Sequence, residues 1–166
     1  MTFAVAALAL LAASPAPNIV GEDAPACQSG HGPAIQVTVQ GLKDRTGELW
    51  LELYPDNKAD FLRDDTDLVR EGKTFRRIRG RIGAGGDVAI CIRVPHPGRY
   101  ALLVRHNRTG KDKFSFCSDG VGFRDARAIG RSRPDVAQAT VEAGAGVTHV
   151  PIRMQYLRGL GGFSPR

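Results

Sequence analysis

Hydrophobic and polar residues alternate along most of the chain from residue 35 onward. The segment IQVTVQGL (35–42) places Ile35, Val37 and Val39 on one face, and GELWLELY (47–54) does the same with three leucines. A period of two is typical of strands with one buried face. Residues 43–47, KDRTG, are typical of a turn, so these strands are predicted to form a β-hairpin.

The same alternation predicts strands over residues 73–82, 87–94, 99–106 and 147–156. In two of these segments the residues expected to face the core are Val88, Ile90, Ile92, Val94, Tyr100, Leu102 and Val104. The polar stretch 55–72 lacks alternation. It is interpreted as a connection that contains one helical turn at residues 59–63.

About seven strands at regular spacing, without a long helical pattern, predict an all-β protein. The 20 glycines and 10 prolines fit frequent turns between short strands. The expected architecture is an antiparallel β-sandwich with half-buried strands, and a small barrel is the alternative. The 166 residues are expected to form one domain, with the sandwich over residues 27–158 and a flexible tail over residues 159–166.

Residues 1–26 are interpreted as a signal peptide followed by a linker. The run from residue 3 to residue 13 is apolar but shorter than the roughly 20 residues needed to span a bilayer. Small residues at 14–16 and at 24–26 offer two cleavage sites. No Lys or Arg precedes the apolar run, so a buried helix or strand is the alternative. We expect a periplasmic or secreted protein without an integral membrane span.

The chain has three cysteines, Cys27, Cys91 and Cys117. In an oxidising compartment this number favours one disulfide and one free thiol. No two cysteines have the C-x-x-C spacing of a zinc knuckle or a thioredoxin-type motif. Cys27 precedes the first strand and Cys91 lies within the segment 87–94, so these two are expected to pair. A lipidated Cys27 is the alternative.

A long polar connection, RHNRTGKDKFSFCSDGVGF, follows the strand predicted at 99–106. The candidate site residues in it are His106, Asn107, Asp112 and Asp119. Oxygen ligands around a glycine turn are typical of calcium loops. However, Arg108, Lys111 and Lys113 place three positive charges in the same stretch and oppose a divalent cation. No cofactor is therefore expected, with calcium as the alternative.

Two other interpretations of this connection remain. A catalytic site would pair His106 with Cys117 or Ser115 as nucleophile. The sequence contains no nucleophile elbow or second catalytic motif to support it. In the structural interpretation, which we favour, Phe114, Phe116 and Phe123 fold inward beneath a glycine-rich loop.

The net charge of +6 comes with a row of arginines in FRRIRGRI. Arg77, Arg79 and Arg81 fall on one face of a strand, about 6.6 Å apart. The row is a candidate anion or glycan site, or it protects a sheet edge from pairing with other chains. Nucleic-acid binding is not expected, because no aromatic platform accompanies the arginines. The expected partner is an unknown envelope component or an anionic surface, and the protein is expected to be a monomer.

Three stretches follow one another along the chain: the segment 35–62, the segment CIRVPHPGRYALLVRHNRTGKDKF (91–114) and SDGVGF (118–123). Together they resemble a bacterial family, domain of unknown function 2141. The resemblance implies an exported β-sandwich similar to immunoglobulin-like or transthyretin-like modules, and it implies no activity. Relatives carry an acidic stretch where this chain has HNRTGKDKFS, with Asn107 in place of Asp and Arg108 in place of an acidic residue.

From the residues and the resemblance we predict an exported, non-catalytic module with a binding or structural role in the bacterial envelope. The alternatives are an anion- or glycan-binding protein that uses the arginine row, a calcium-binding module, and a small Cys/His hydrolase or redox enzyme. We do not expect an enzyme.

Overall fold

The computed structural model describes residues 17–166, and the apolar run of the predicted signal peptide lies outside them. This part of the chain forms ten strands. The strands are β1 (Asn18–Val20), β2 (Ala34–Gln40), β3 (Glu48–Pro55), β4 (Arg76–Arg81), β5 (Val88–Arg93), β6 (Gly98–Asn107), β7 (Gly120–Phe123), β8 (Thr140–Ala143), β9 (Val147–Leu157) and β10 (Phe163–Pro165). The helices are α1 (Ala24–Ser29), α2 (Asp65–Arg70) and α3 (Val136–Ala139).

All ten strands belong to one mixed sheet. Eight of them are hydrogen-bonded in the order β1-β5-β2-β9-β7-β6-β3-β4, while β10 pairs with β9 and β8 pairs with β6. The pairs β1–β5 and β2–β9 are parallel. The two end strands, β1 and β4, approach each other at Gly80 and Val20. The glycine permits this close approach, because a side chain at position 80 would collide with Val20. The sheet therefore nearly closes into a barrel.

The predicted all-β class is confirmed, but an antiparallel sandwich of about seven strands is not. The predicted hairpin of β2 and β3 is wrong. Strand β2 pairs with β5 and β9, whereas β3 pairs with β4 and β6. Residues 41–47 therefore cross between two parts of the sheet. Alternation shows which face of a strand is buried but does not identify its neighbours.

The barrel interior contains the faces that the alternation predicts. One buried cluster includes Ile35, Val37, Val39, Leu49, Leu51, Leu53, Val88, Ile90, Ile92, Val94, Tyr100, Leu102 and Val104. Strand β9 adds Val150, Ile152 and Met154 to the same cluster. Burial of this much aliphatic surface is the main stabilising contribution to the fold.

The predicted disulfide joins Cys27 of α1 to Cys91 of β5. The two cysteines pack with Ala26 and Ala34 in a small apolar cluster of their own. The bridge fastens the N-terminal segment to the sheet, beside the parallel pair β1–β5. Residues 18–26 thus contain a strand and the start of a helix, where the sequence suggested a linker.

The C-terminal residues 159–166 also differ from the flexible tail that the sequence suggested. They form a 3-10 turn followed by β10, which pairs antiparallel with β9. Phe163 of β10 is only 7% exposed and packs close to Phe114. Burial of this aromatic side chain stabilises the packing of the segment against the sheet.

The connection after β3 contains a short helix that the sequence analysis did not predict. Helix α2 begins after Asp64, whose carboxylate accepts hydrogen bonds from the backbone N–H groups of Thr66 and Asp67. A turn also occurs close to the predicted residues 59–63, where the Phe61 N–H donates to the Asn57 carbonyl oxygen at 3.0 Å. Leu68 of α2 belongs to a second buried cluster, on the outer face of the sheet, with Tyr54, Phe61, Leu103, Val121, Phe123 and Phe163. Strands β3, β6 and β7 are therefore covered on both faces.

Candidate functional site

The outer face of β3 and β6 carries a tryptophan surrounded by arginines. Trp50 is 1% exposed, and the guanidinium carbons of Arg79, Arg105 and Arg77 lie 4.2, 4.5 and 5.0 Å from its ring centroid. Strand register explains the arrangement, because Trp50 stands opposite Arg79 on β4 and opposite Arg105 on β6. Cation–π attraction favours these positions over the ring.

Arg105 also organises the loop 108–119. Its guanidinium donates to the three successive backbone carbonyl oxygens of residues 111–113 at 2.6–2.9 Å and to the Asp119 carboxylate at 2.9 Å. The Arg105 side chain is 6% exposed and the Asp119 side chain is fully buried. The Asp119 carboxylate accepts two further hydrogen bonds from backbone N–H groups, at 3.0 Å each. A buried ion pair needs additional hydrogen bonds of this kind to offset its desolvation.

The loop residues predicted as a candidate site are His106, Asn107, Asp112 and Asp119. They do not converge on one point. The Asp112 side chain is 87% exposed and forms an ion pair with Arg79 at 3.3 Å, while Asn107 Oδ1 accepts a backbone N–H at 3.0 Å. Within residues 17–166, no three His, Cys, Asp or Glu side chains form a metal-binding group. The Asp119 carboxylate is already engaged by Arg105 and by two backbone N–H groups, and calcium at this loop stays an alternative hypothesis.

His106 is buried between two hydrogen-bond partners. Its Nε2 donates to the Thr46 carbonyl oxygen at 2.8 Å, so its Nδ1 accepts from the Tyr156 hydroxyl at 2.7 Å. The same hydroxyl accepts from the backbone N–H of Lys43 at 3.0 Å. Burial lowers the pKa of His106 and raises the pKa of Tyr156 to about 12. His106 thus joins the crossing segment to β9, while Cys117 is an exposed free thiol.

The crossing segment is also fastened to the long loop by an ion pair. The Arg108 guanidinium donates to both carboxylate oxygens of Asp44, at 3.1 and 2.5 Å. These hydrogen bonds lower the pKa of Asp44 to about 2. Arg108 therefore has a structural role in this chain.

The predicted anion site consists of Arg77, Arg79 and Arg81 on β4. Arg77 donates to Glu52 and to Asp65, at 2.7 Å each, and Arg79 is paired as described above. In the described part of the chain, no carboxylate lies within ion-pair distance of Arg81. Strand β4 is the last in the sheet order, which is the position that edge protection requires. Two of the three arginines are therefore already engaged within the protein.

A cleft of about 740 Å³ lies beside this arginine group. Its apolar lining includes Leu103, Val121, Phe123, Phe114, Phe116 and Phe163. Phe114 and Phe116 meet edge to face, with ring centroids 5.1 Å apart. Phe116 remains 68% exposed, which differs from the inward position that the sequence suggested, whereas Phe123 is 2% exposed as expected.

Charged residues line the same cleft. Arg77 and Arg105 lie on the sheet, and Arg131 and Arg133 lie on the connection between β7 and α3. The acidic lining residues are Glu52 and Asp112. The lining therefore combines an aromatic surface with an excess of positive charge.

Sequence reasoning does not find this cleft, because its residues come from many separate segments between Glu52 and Phe163. One signal was present. Trp50, Tyr54 and Leu103 occupy the face of β3 and β6 that strict alternation assigns to solvent. Large apolar residues on both faces indicate a strand that is covered twice. Arg131 and Arg133 carry no such signal, since arginines in an irregular stretch are ordinarily solvated.

The fold and this site define a class of protein: a disulfide-linked β-rich domain with a ligand-sized cleft on its outer sheet face. No helix in residues 17–166 is long and apolar enough to cross a bilayer. A family model described as an uncharacterized protein conserved in bacteria (DUF2141) matches residues 37–151, and the chain belongs to this family. Neither the curated proteins nor the solved structures include a match.

Proposed function

We propose that this protein is an exported, non-catalytic binding module of the bacterial envelope, and that it holds an apolar ligand in the cleft on its outer sheet face. The cleft is the observation that carries the proposal. Its volume of about 740 Å³ falls in the range of small-molecule sites, about 300–1,000 Å³. Phe116, which is 68% exposed, is continuous with Phe114 and Phe163 in the cleft lining, and contiguous apolar surface of this kind marks interaction sites.

Two features support export. The apolar run at residues 3–13 is typical of the core of a secretory signal. The disulfide between Cys27 and Cys91 fits an oxidising compartment such as the periplasm.

The non-catalytic assignment is supported by the state of the candidate catalytic groups. Both ring nitrogens of His106 are engaged by Tyr156 and Thr46. Among the hydrogen bonds of residues 17–166, none joins a histidine ring to a serine, threonine or cysteine side chain. A nucleophile activated by histidine requires that contact.

Titration with Nile red, a neutral fluorophore that brightens in apolar surroundings, tests the proposal. We expect saturable binding to the wild-type protein. The substitution Phe116→Ser should weaken it by about tenfold, because full burial of such a side chain is worth about 1.5–3 kcal/mol. Val69→Ser is the matched control, since Val69 is 61% exposed on α2 and does not line the cleft.

Two results would contradict the proposal. One is the absence of saturable dye binding by the folded wild-type protein. The other is equal weakening by the cleft variant and the control, which would place the dye outside the cleft. Circular dichroism spectra of both variants verify that they are folded.

A further inference from the structure

The cleft has an unbalanced charge at one wall. Arg77 is paired with Glu52, and Arg105 is paired with Asp119. By contrast, no carboxylate in residues 17–166 lies within ion-pair distance of Arg131 or Arg133, both of which line the cleft. The apolar surface is thus bordered by two cations whose counter-charge is not supplied by the described part of the protein.

The segment that carries these two arginines is anchored. Gly130 and Phe163 exchange backbone hydrogen bonds of 2.9 and 2.7 Å. The fully buried amide of Gln155 accepts from the N–H of Ile129 at 3.1 Å and donates to the Arg127 carbonyl oxygen at 2.8 Å. The cations are therefore presented by an ordered backbone, which reduces the entropy lost when a ligand binds.

Arg133 has a further contact that directs its position. Its Nη2 donates to the Phe61 carbonyl oxygen at 2.6 Å, across the loops that cover the sheet. A guanidinium group has five N–H donors, so this contact leaves most of them free for a second acceptor. Planar groups of this type bind carboxylates and phosphates in a fork geometry.

Arg105 lines the cleft and is 5% exposed, and its Nε is the one buried side-chain polar atom in residues 17–166 that lacks a hydrogen-bond partner. Its two Nη atoms are already engaged by the loop and by Asp119. Buried donors without partners are rare in folded proteins and call for an explanation. Here the rings of Trp50 and Phe114 lie 4.5 and 5.5 Å from the guanidinium carbon, and Nε itself is closed off from solvent. The preference for an anion therefore depends on Arg131 and Arg133.

From these observations we infer that the cleft takes a free single-chain amphiphilic anion. Its apolar chain lies on the aromatic floor, and its carboxylate or phosphate head pairs with Arg131 and Arg133 at the wall. This inference rests on the proposed function, because it specifies the ligand class of the same cleft. It adds a requirement for negative charge that the apolar lining alone does not impose.

Displacement of Nile red by three twelve-carbon amphiphiles below their micelle concentrations tests the inference. The probes are dodecanoate, dodecyl phosphate and dodecyltrimethylammonium. The two anions should displace the dye at concentrations about tenfold lower than the cation, which corresponds to about 1.4 kcal/mol. The preference should decrease as ionic strength rises, because salt screens charges at the protein surface.

A charge-matched pair of variants locates the head group. Arg131→Gln with Arg133→Gln should abolish the preference for anions while the dye still binds. Arg93→Gln with Arg124→Gln removes the same charge from exposed residues outside the cleft and should leave the preference intact. Equal effects of the two double variants would overturn the assignment of the head group to this wall.

The remaining outcomes separate this inference from the proposed function. Dye binding without a preference for anions overturns the inference and leaves the proposed function standing. No binding of the dye or of any amphiphile overturns both. Binding to phosphatidylglycerol vesicles without binding to monomeric dodecanoate overturns the free-ligand inference and identifies a membrane surface as the source of the anionic head group.

Discussion

Arg105→Met tests whether the buried guanidinium holds the loop 108–119 in place. Methionine approximates the length of the side chain but removes four hydrogen bonds to the loop and to Asp119. It also leaves the fully buried Asp119 carboxylate without its cation. Loss of one partner from a buried ion pair costs about 3–5 kcal/mol. The melting temperature should therefore fall by about 10 °C or more.

The matched control is Arg79→Met. Arg79 also packs over Trp50, at 4.2 Å compared with 4.5 Å for Arg105, and its removal changes the net charge by the same amount. Its ion pair with Asp112 is exposed, and such pairs contribute about 1 kcal/mol or less. Urea denaturation of both variants measures the difference directly. Equal free-energy losses would refute the central role given to Arg105.

Three other perturbations have defined outcomes. Replacing Cys27 and Cys91 by alanine releases a loop of 64 residues and should lower the free energy of unfolding by about 4 kcal/mol, measured by urea denaturation. Because burial lowers the pKa of His106, the unfolded chain takes up the proton at a higher pH than the folded protein does. The free energy of unfolding should therefore fall as pH drops below about 6.5. Melting curves of His106→Gln should lack this dependence. Gly47→Ala should destabilise much more than Gly110→Ala in the same assay, since both have positive φ but only position 47 faces a carbonyl oxygen.

Patterns within short segments of the sequence predict which strand faces are buried and which cysteines pair. The alternation around Leu49, Leu51 and Leu53 correctly identifies the buried face of β3, because a strand with one face in the core must place every second residue there. Cysteine number and position likewise predict the pairing of Cys27 with Cys91.

Strand neighbours and the cleft depend on contacts between distant segments, which alternation does not encode. Residues 41–47 have the composition of a hairpin turn, yet they cross to another part of the sheet. There His106 binds the Thr46 carbonyl oxygen and Arg108 binds the Asp44 carboxylate. Arg105 occupies a position that alternation assigns to solvent. It is buried because the loop 108–119 folds over it.

The cleft joins residues that are far apart in sequence, including Leu103, Phe123 and Arg133. Its shape depends on β10, whose Phe163 closes one wall. A three-residue strand close to the C-terminus carries too little pattern to be predicted from sequence.

The most direct test of the cleft as a ligand site is an NMR titration of the isotope-labelled protein with dodecanoate. We expect saturable shifts of the methyl groups of Leu103 and Val121 on the cleft floor, together with shifts of the Arg131 and Arg133 guanidinium resonances. Shifts confined to Arg81 and its exposed neighbours, or no saturable shifts up to the micelle concentration, would contradict the account.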